Sequence, residues 1–268
     1  MLRFLYETVI GRCILKVLTR PSLSRLAGKF CDSRCSRFLI PGFVRKNHIN
    51  LREYENRKYE SFNQFFCRKI RTGCRPVDRD PGAFIAPCDG LLSIYPIEKD
   101  LVIPVKQSRF GIPDLLRDPQ LAAEYEGGTC LVFRLCVNHY HRYMYPDSGT
   151  KGKNICIPGV LHTVRPIALR NVPVFTENAR EYTVLHTENF GDVIQMEVGA
   201  MLVGRIQNLH QEAVIRRGQE KGYFEYGGST IILLVKPGQV QFSSKLYAQT
   251  REGKEVPVKA GQRINVRK

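Results

Sequence analysis

The sequence predicts an α+β fold, with a helical, strongly basic N-terminal region leading into a β-rich body. Three observations predict it. Apolar residues recur at helical spacing in the first 75 positions, the chain beyond about residue 76 breaks into short apolar runs punctuated by Gly and Pro, and the positive charge is concentrated in the first part. These features divide the chain into a helical, basic region over 1–75 and a β-rich domain over 76–268.

Charged residues at Arg3, Glu7, Arg12, Lys16 and Arg20 recur every four or five positions, with Phe4, Leu5, Val9, Ile10, Ile14, Leu15 and Leu18 filling the intervals. That pattern is an amphipathic helix. Its apolar runs fall well short of the roughly 20 residues that span a bilayer, which leaves a helix lying in an interface or an ordinary helix docked on the body. A second helical pattern runs through Tyr59, Phe62, Phe66, Lys69 and Ile70, with Phe65 beside it and Arg57, Lys58, Arg68, Lys69 and Arg71 around it. Such a stripe could insert rings at a membrane or stack on single-stranded nucleic acid, but core packing is its commoner use. Farther on, Cys130–Val137, Val193–Glu197, Met201–Ile206 and Thr230–Val235 read as strands. The stretch Asp100–Glu126, with Pro104, Pro113 and Pro119, reads as an irregular excursion holding at most a short helix.

The chain has 268 residues, 43% of them hydrophobic, enough for a sizeable core. Residues 1–75 hold 17 Lys and Arg against 5 Asp and Glu, so most of the net charge of +16 lies there. Such a region suits a polyanion, either nucleic acid or the anionic face of a bilayer. Nine cysteines without a Cys-x-x-Cys pair, and no apolar leader with a small-residue cleavage site, point to reduced thiols facing a cytosol. Cys31 and Cys35 are spaced to share a metal, but no further ligands complete a set, so no metal is expected.

Three short segments carry candidate chemistry: Pro87-Cys88-Asp89-Gly90, Asn138-His139-Tyr140-His141-Arg142 and Tyr226-Gly227-Gly228-Ser229-Thr230. Each alone is an unremarkable turn or loop. Together they supply a carboxylate, an imidazole and a hydroxyl, the parts that orient a base, remove a proton and attack a carbonyl. Gly228 has no side chain to shield its carbonyl from the Ser229 hydroxyl.

Here the chain resembles the phosphatidylserine decarboxylase family. The resemblance rests on Phe62-Asn63-Gln64-Phe65-Phe66-Cys67-Arg68, Pro87–Gly90, Tyr140-His141-Arg142, Phe190-Gly191, Gln195–Ala200, Val203-Gly204 and Gly218–Phe224, leading in order to Gly228-Ser229-Thr230. The resemblance implies a proenzyme that cleaves itself between Gly228 and Ser229, giving a β chain of 1–228 and an α chain of 229–268 that remain associated. It implies Asp89, His141 and Ser229 as catalytic residues, with Asp89 orienting His141 and Ser229 converted to a covalent pyruvoyl cofactor. That group would decarboxylate phosphatidylserine to phosphatidylethanolamine through a Schiff base, at an anionic membrane surface on the cytoplasmic side of the cell membrane. A homodimer is a further expectation; a nucleic-acid partner is not.

One departure from the family pattern is Met144, where many members carry a second histidine. It makes His162, in Gly159-Val160-Leu161-His162-Thr163-Val164, the second candidate base, with His139 third. Competing readings are an inactive relative that binds lipid, a basic nucleic-acid binder, and a serine hydrolase. The binder lacks a recognisable RNA- or DNA-binding signature, and the hydrolase lacks a Gly-x-Ser-x-Gly elbow around Ser229.

Overall fold

The computed structural model describes residues 2–55, 58–98, 111–200, 205–226 and 229–267. Gly227, Gly228, Arg57, most of the expected Met201–Ile206 strand and the first part of the Asp100–Glu126 excursion lie outside the described residues.

The helices are α1 (Leu2–Glu7), α2 (Val9–Leu18), α3 (Pro21–Asp32), α4 (Leu39–Lys46), α5 (Phe62–Phe66), α6 (Ile112–Leu116), α7 (Pro119–Ala123), α8 (Pro166–Leu169), α9 (Val174–Glu177) and α10 (Ser244–Arg251). The strands are β1 (Gly90–Pro96), β2 (Thr129–Leu135), β3 (Arg142–Met144), β4 (Gly149–Lys151), β5 (Ile155–Ile157), β6 (Arg180–Thr187), β7 (Gly191–Val198), β8 (Ile206–Asn208), β9 (Ala213–Ile215), β10 (Glu220–Phe224), β11 (Ser229–Val235) and β12 (Val256–Val258). The α+β expectation holds, with helices first and antiparallel strands after.

The long amphipathic helix expected over residues 3–20 is two helices. Thr8 is extended, and its hydroxyl accepts from the Gly11 amide at 3.0 Å, so it caps α2 and interrupts the ladder. Gly11 permits the resulting close packing, since a Cβ there would lie 1.9 Å from the Phe4 carbonyl oxygen. Leu5, Tyr6 and Leu15 face the main core, whereas Val9, Ile10 and Val17 stay exposed. Pro21 at the first position of α3 loses no hydrogen bond there.

The aromatic stripe is core. Phe62, Phe65 and Phe66 are buried with Tyr54 and Tyr140 in a second hydrophobic cluster, and its helix, capped by Ser61, runs only five residues. The excursion after residue 100 holds two short helices, α6 and α7, rather than at most one. The second is started by Asp118, which accepts from the Leu121 amide, and by Pro119.

Among the described residues the large sheet runs β12-β1-β2-β11-β7-β6-β4-β9, with β5 on the edge of β6; a smaller sheet runs β3-β10-β8. β11 is buried along its whole length, as expected for a Thr-Ile-Ile-Leu-Leu-Val run in the middle of a sheet covered on both faces. The small sheet depends on Gly222. A Cβ there would lie 2.1 Å from the Gln207 carbonyl oxygen and 2.7 Å from Tyr143 Oη, so only glycine lets β10 approach β8 this closely.

Candidate active site

Ser229 opens β11 and pairs with Leu135, the last residue of β2; the next pair across β11 is Thr230 with Val198 of β7. On the far side of β2, Leu91 pairs with Arg134, so Gly90 falls one step beyond, level with Leu135. Asp89 and Ser229 therefore sit at the same end of the sheet, on strands flanking β2. Two strand spacings put their backbones about 10 Å apart. The Ser229 hydroxyl is fully buried and has no hydrogen-bond partner among the described residues. Leaving such a group unsatisfied costs about 1–3 kcal/mol, which makes it a candidate for chemistry rather than packing.

From Leu135 the chain loops over this end of the sheet to His141 at the head of β3. The His141 carbonyl accepts from the Phe224 amide at 2.9 Å, and its ring lies 4.1 Å from that of Phe66. Phe66 also packs against Tyr226, three residues before Ser229. Thus the loop, α5 and the segment leading into Ser229 converge. Nδ1 of His141 contacts the His139 carbonyl at 3.0 Å. A carbonyl can only accept, so Nδ1 carries the proton and Nε2 is left with a free lone pair. That Nε2 is buried without a partner among the described residues. Burial first, then the Arg68 charge, hold the imidazole well below its ordinary value of 6.5. At neutral pH His141 is therefore an uncharged base.

Asp89 is held elsewhere. Arg75 donates Nε to Oδ1 at 2.7 Å and an Nη to Oδ2 at 2.6 Å, and the Ala260 amide adds a bond at 3.0 Å. Burial raises the carboxyl, but these donors and the nearby Lys259 outweigh it and leave Asp89 below its ordinary value. The resemblance implies that Asp89 orients His141; among the described residues His141 Nδ1 meets the His139 carbonyl, and the Asp89 carboxylate meets the Arg75 fork. Asp89 acts on the neighbouring His139, whose tendency to protonate it raises against a larger effect of burial. His139 Nδ1 accepts from the Cys136 amide at 3.1 Å and helps to shape the loop. Met144 contributes through its backbone, donating to Pro87 and accepting from Gln195, and so ties β3 to the segment that carries Asp89.

His162 lies on the other flank. Its backbone is clasped by Asn178, which also donates to the Gly199 carbonyl at 2.7 Å, one step past the Thr230–Val198 pair. Its ring, however, is committed: Nδ1 meets Tyr6 Oη at 3.3 Å and Nε2 meets Glu177 at 3.3 Å. Burial lowers His162 to about 4 and raises Glu177, so at neutral pH this contact is an imidazole N–H donating to a carboxylate. His162→Gln should cost on the order of 1 kcal/mol in urea unfolding, the loss of a modest pair of bonds. It should also soften the loss of stability on acidification. The unfolded imidazole takes up a proton below 6.5, which the folded one resists until about 4, so stability falls through that window.

Sequence reasoning passed over Glu197 and Lys221. Glu197 pairs with Ile231, which lies two residues beyond Ser229 and on the same face of the sheet. Its carboxylate takes the Lys221 ammonium at 2.6 Å with both side chains fully buried, and Asn208 contacts both. Burial raises Glu197 and lowers Lys221, each against the attraction of the other. The pair pins β10 of the small sheet over the face that carries Ser229. Lys221→Met should destabilise by about 3–5 kcal/mol in urea unfolding, because it strands a buried carboxylate, whereas the Lys221→Met/Glu197→Leu double variant should recover much of the loss. The signal in the sequence was a carboxylate inside an otherwise buried run, Val193-Ile194-Gln195-Met196-Glu197-Val198.

Among the described residues, no group of three or more His, Cys, Asp or Glu is placed to hold a metal ion. No helix among them is long and apolar enough to cross a membrane.

This is an α+β protein built around a buried serine at the head of a central strand, with an uncharged imidazole brought to the same end of the sheet. Residues 62–265 match the family model for phosphatidylserine decarboxylase. The chain is 42% identical over 264 residues to phosphatidylserine decarboxylase proenzyme 2 of Clostridium acetobutylicum, covering 98% of this chain and 90% of that one. It is 40% identical to the phosphatidylserine decarboxylase proenzyme of Ruminiclostridium cellulolyticum, with 98% and 90% covered, and 38% identical to that of Clostridium perfringens, with 97% and 90% covered. The chain belongs to the phosphatidylserine decarboxylase family, whose chemistry is that of a lyase removing carbon dioxide and whose members similar to this chain are named as proenzymes.

Proposed function

We propose that the protein is a phosphatidylserine decarboxylase that makes its own pyruvoyl group from Ser229. The observation that carries this reading is that two buried groups at one end of the sheet, the Ser229 hydroxyl and the His141 Nε2 lone pair, have no partner among the described residues. His141 takes the hydroxyl proton as Ser229 Oγ attacks the Gly228 carbonyl, and the peptide shifts to an ester. Loss of the Ser229 α-proton then breaks the Cβ–O bond and expels Gly228 as a carboxylate, leaving dehydroalanine. Addition of water and loss of ammonia complete the pyruvoyl cap on Thr230.

The site suits such a group. The new terminus would be held at the head of β11 by ladders to β2 and β7, and the 229–268 fragment also carries β12, paired with β1. These contacts keep the 1–228 and 229–268 chains together after cleavage. The pyruvoyl ketone supplies the electron sink for loss of carbon dioxide. His141, neutral and buried, is the residue placed to return a proton at that end of the sheet.

The helical, basic region over 1–75 is the proposed membrane contact. Val9, Ile10, Val17, Leu26, Phe30 and Phe38 are exposed apolar residues among its cations, a composition suited to an anionic lipid surface. Localisation at the cytoplasmic face of the cell membrane and pairing of two copies belong to the same proposal. Incubation with phosphatidylserine vesicles tests the activity: phosphatidylethanolamine should form, and both Ser229→Ala and phenylhydrazine, which captures ketones, should stop it. Failure of the wild-type protein to form product would refute the substrate. Val9→Glu/Ile10→Glu changes only exposed positions and should weaken flotation with anionic vesicles; unchanged flotation would refute the membrane role of α2.

A further inference from the structure

We propose that Arg68 is a positioning residue for His141, acting through the His139 carbonyl that the two side chains share. The inference rests on the reading of His141 as the processing base and adds the group that keeps it in working form.

Arg68 follows α5 and is almost fully buried, yet it makes no ion pair with a carboxylate among the described residues. Its guanidinium instead donates to four carbonyls and to the Tyr54 hydroxyl, the last at 3.3 Å. One Nη reaches the His139 oxygen at 3.2 Å and the Asn138 oxygen at 3.4 Å, and the other reaches Phe65 and Phe66 at 3.4 and 3.5 Å. The rings of Tyr54 and Phe65 lie 4.2 and 4.9 Å from its central carbon, a cation–π setting that replaces part of the lost hydration. A buried cation without a counter-charge is expensive, and this one divides its donors between the carbonyls of α5 and the loop that presents the base.

The shared carbonyl gives that placement a consequence. His139 O accepts from both Arg68 and His141 Nδ1. Arg68 fixes where the oxygen stands, the oxygen fixes which imidazole nitrogen carries the proton, and Nε2 is thereby left unprotonated. The same cation opposes protonation of the ring. The other groups facing His141 are the ring of Phe66 from α5, the Phe224 amide from β10 and His139 from its own loop. Asp89 reaches His139 from the head of β1. Among these Arg68 is the permanent charge nearest the base. A single Lys nitrogen cannot serve this pair of carbonyls together with those of Phe65 and Phe66, which the two Nη groups of Arg68 divide between them.

The test is the pH profile of self-cleavage, followed by intact mass on protein refolded at each pH, for wild type, Arg68→Lys and Arg68→Met. Arg68→Met should cleave at least about tenfold more slowly at pH 8. Its acid limb should move up by about one unit, because the imidazole no longer faces a fixed cation. Arg68→Lys keeps the charge and should be slow while retaining the wild-type acid limb. Adding Arg68→Met to His141→Gln should slow cleavage no further than His141→Gln alone. A packing role would lower thermal stability without moving the acid limb, so an unmoved limb in Arg68→Met, or additive losses in the double variant, would overturn the assignment. A wild-type chain that never cleaves would overturn the reading beneath it as well.

Discussion

Ser229→Ala should remain a single full-length chain under conditions in which the wild-type protein divides in two. The effect is total because the hydroxyl is the only atom in the proposed sequence that can carry the Gly228 acyl group, and alanine removes it without disturbing the backbone ladders of Ser229–Val235 to β2 and β7. The variant should be at least as stable as the unprocessed parent, since it deletes a buried hydroxyl that has no partner among the described residues. Intact mass and urea unfolding measured on the same sample check both halves: an undivided chain with an undiminished midpoint is expected, and cleavage of the variant would exclude Ser229 as the nucleophile.

His141→Gln should slow self-cleavage by about 10²–10⁴-fold, the usual contribution of a positioned general base. Glutamine keeps the polar volume but cannot take a proton. The His162→Gln variant should process at close to the wild-type rate, since the His162 ring is already engaged by Tyr6 and Glu177. The two substitutions thus separate the candidates that Met144 left open. The pH dependence follows from the sign of the shift. With His141 held well below 6.5, the base is neutral above its depressed value, so wild-type processing should stay flat through pH 8 to 6 and fail only in stronger acid. Stability behaves differently. The unfolded imidazole takes up a proton below about 6.5 that the folded one refuses, so the folded state begins to lose stability there, before the base is titrated. A processing rate that halves near pH 6.5 while unfolding midpoints hold would argue for an exposed histidine as the base.

Much of the fold was legible because burial imposes a period on the chain. The apolar run Thr230–Val235 reads as a strand, and the charged residues from Arg3 to Arg20, recurring every four or five positions, read as helical. What escaped were features set by single local bonds. The Thr8 hydroxyl that divides α1 from α2, and Asp118 that starts α7, leave the hydrophobic period unchanged. At the site, Ser229 and His141 were visible as residue types in the order of a family pattern. Their electrostatic surroundings were not, because Asp89 is held by Arg75 and by the Ala260 amide 171 residues away, and the His141 tautomer is chosen by a carbonyl of its own loop. Backbone acceptors carry no side-chain signature. Glu197 and Lys221 could have been suspected, since a charge in the middle of a buried run needs a partner, but only the packing of the small sheet on the large one identifies it.

The most direct test of the central claim is the mass of the smaller fragment of freshly folded wild-type protein, taken before and after reaction with phenylhydrazine. Self-conversion of Ser229 predicts a fragment of residues 229–268 with no free amino terminus, about 17 mass units lighter than the unmodified peptide, because the hydroxyl has gone and a ketone oxygen has replaced the amine, a net loss of one ammonia. It should gain one hydrazone. A fragment beginning with an intact serine and a free amine would show simple peptide hydrolysis, and a chain that stays whole would show no processing; either result would contradict the account.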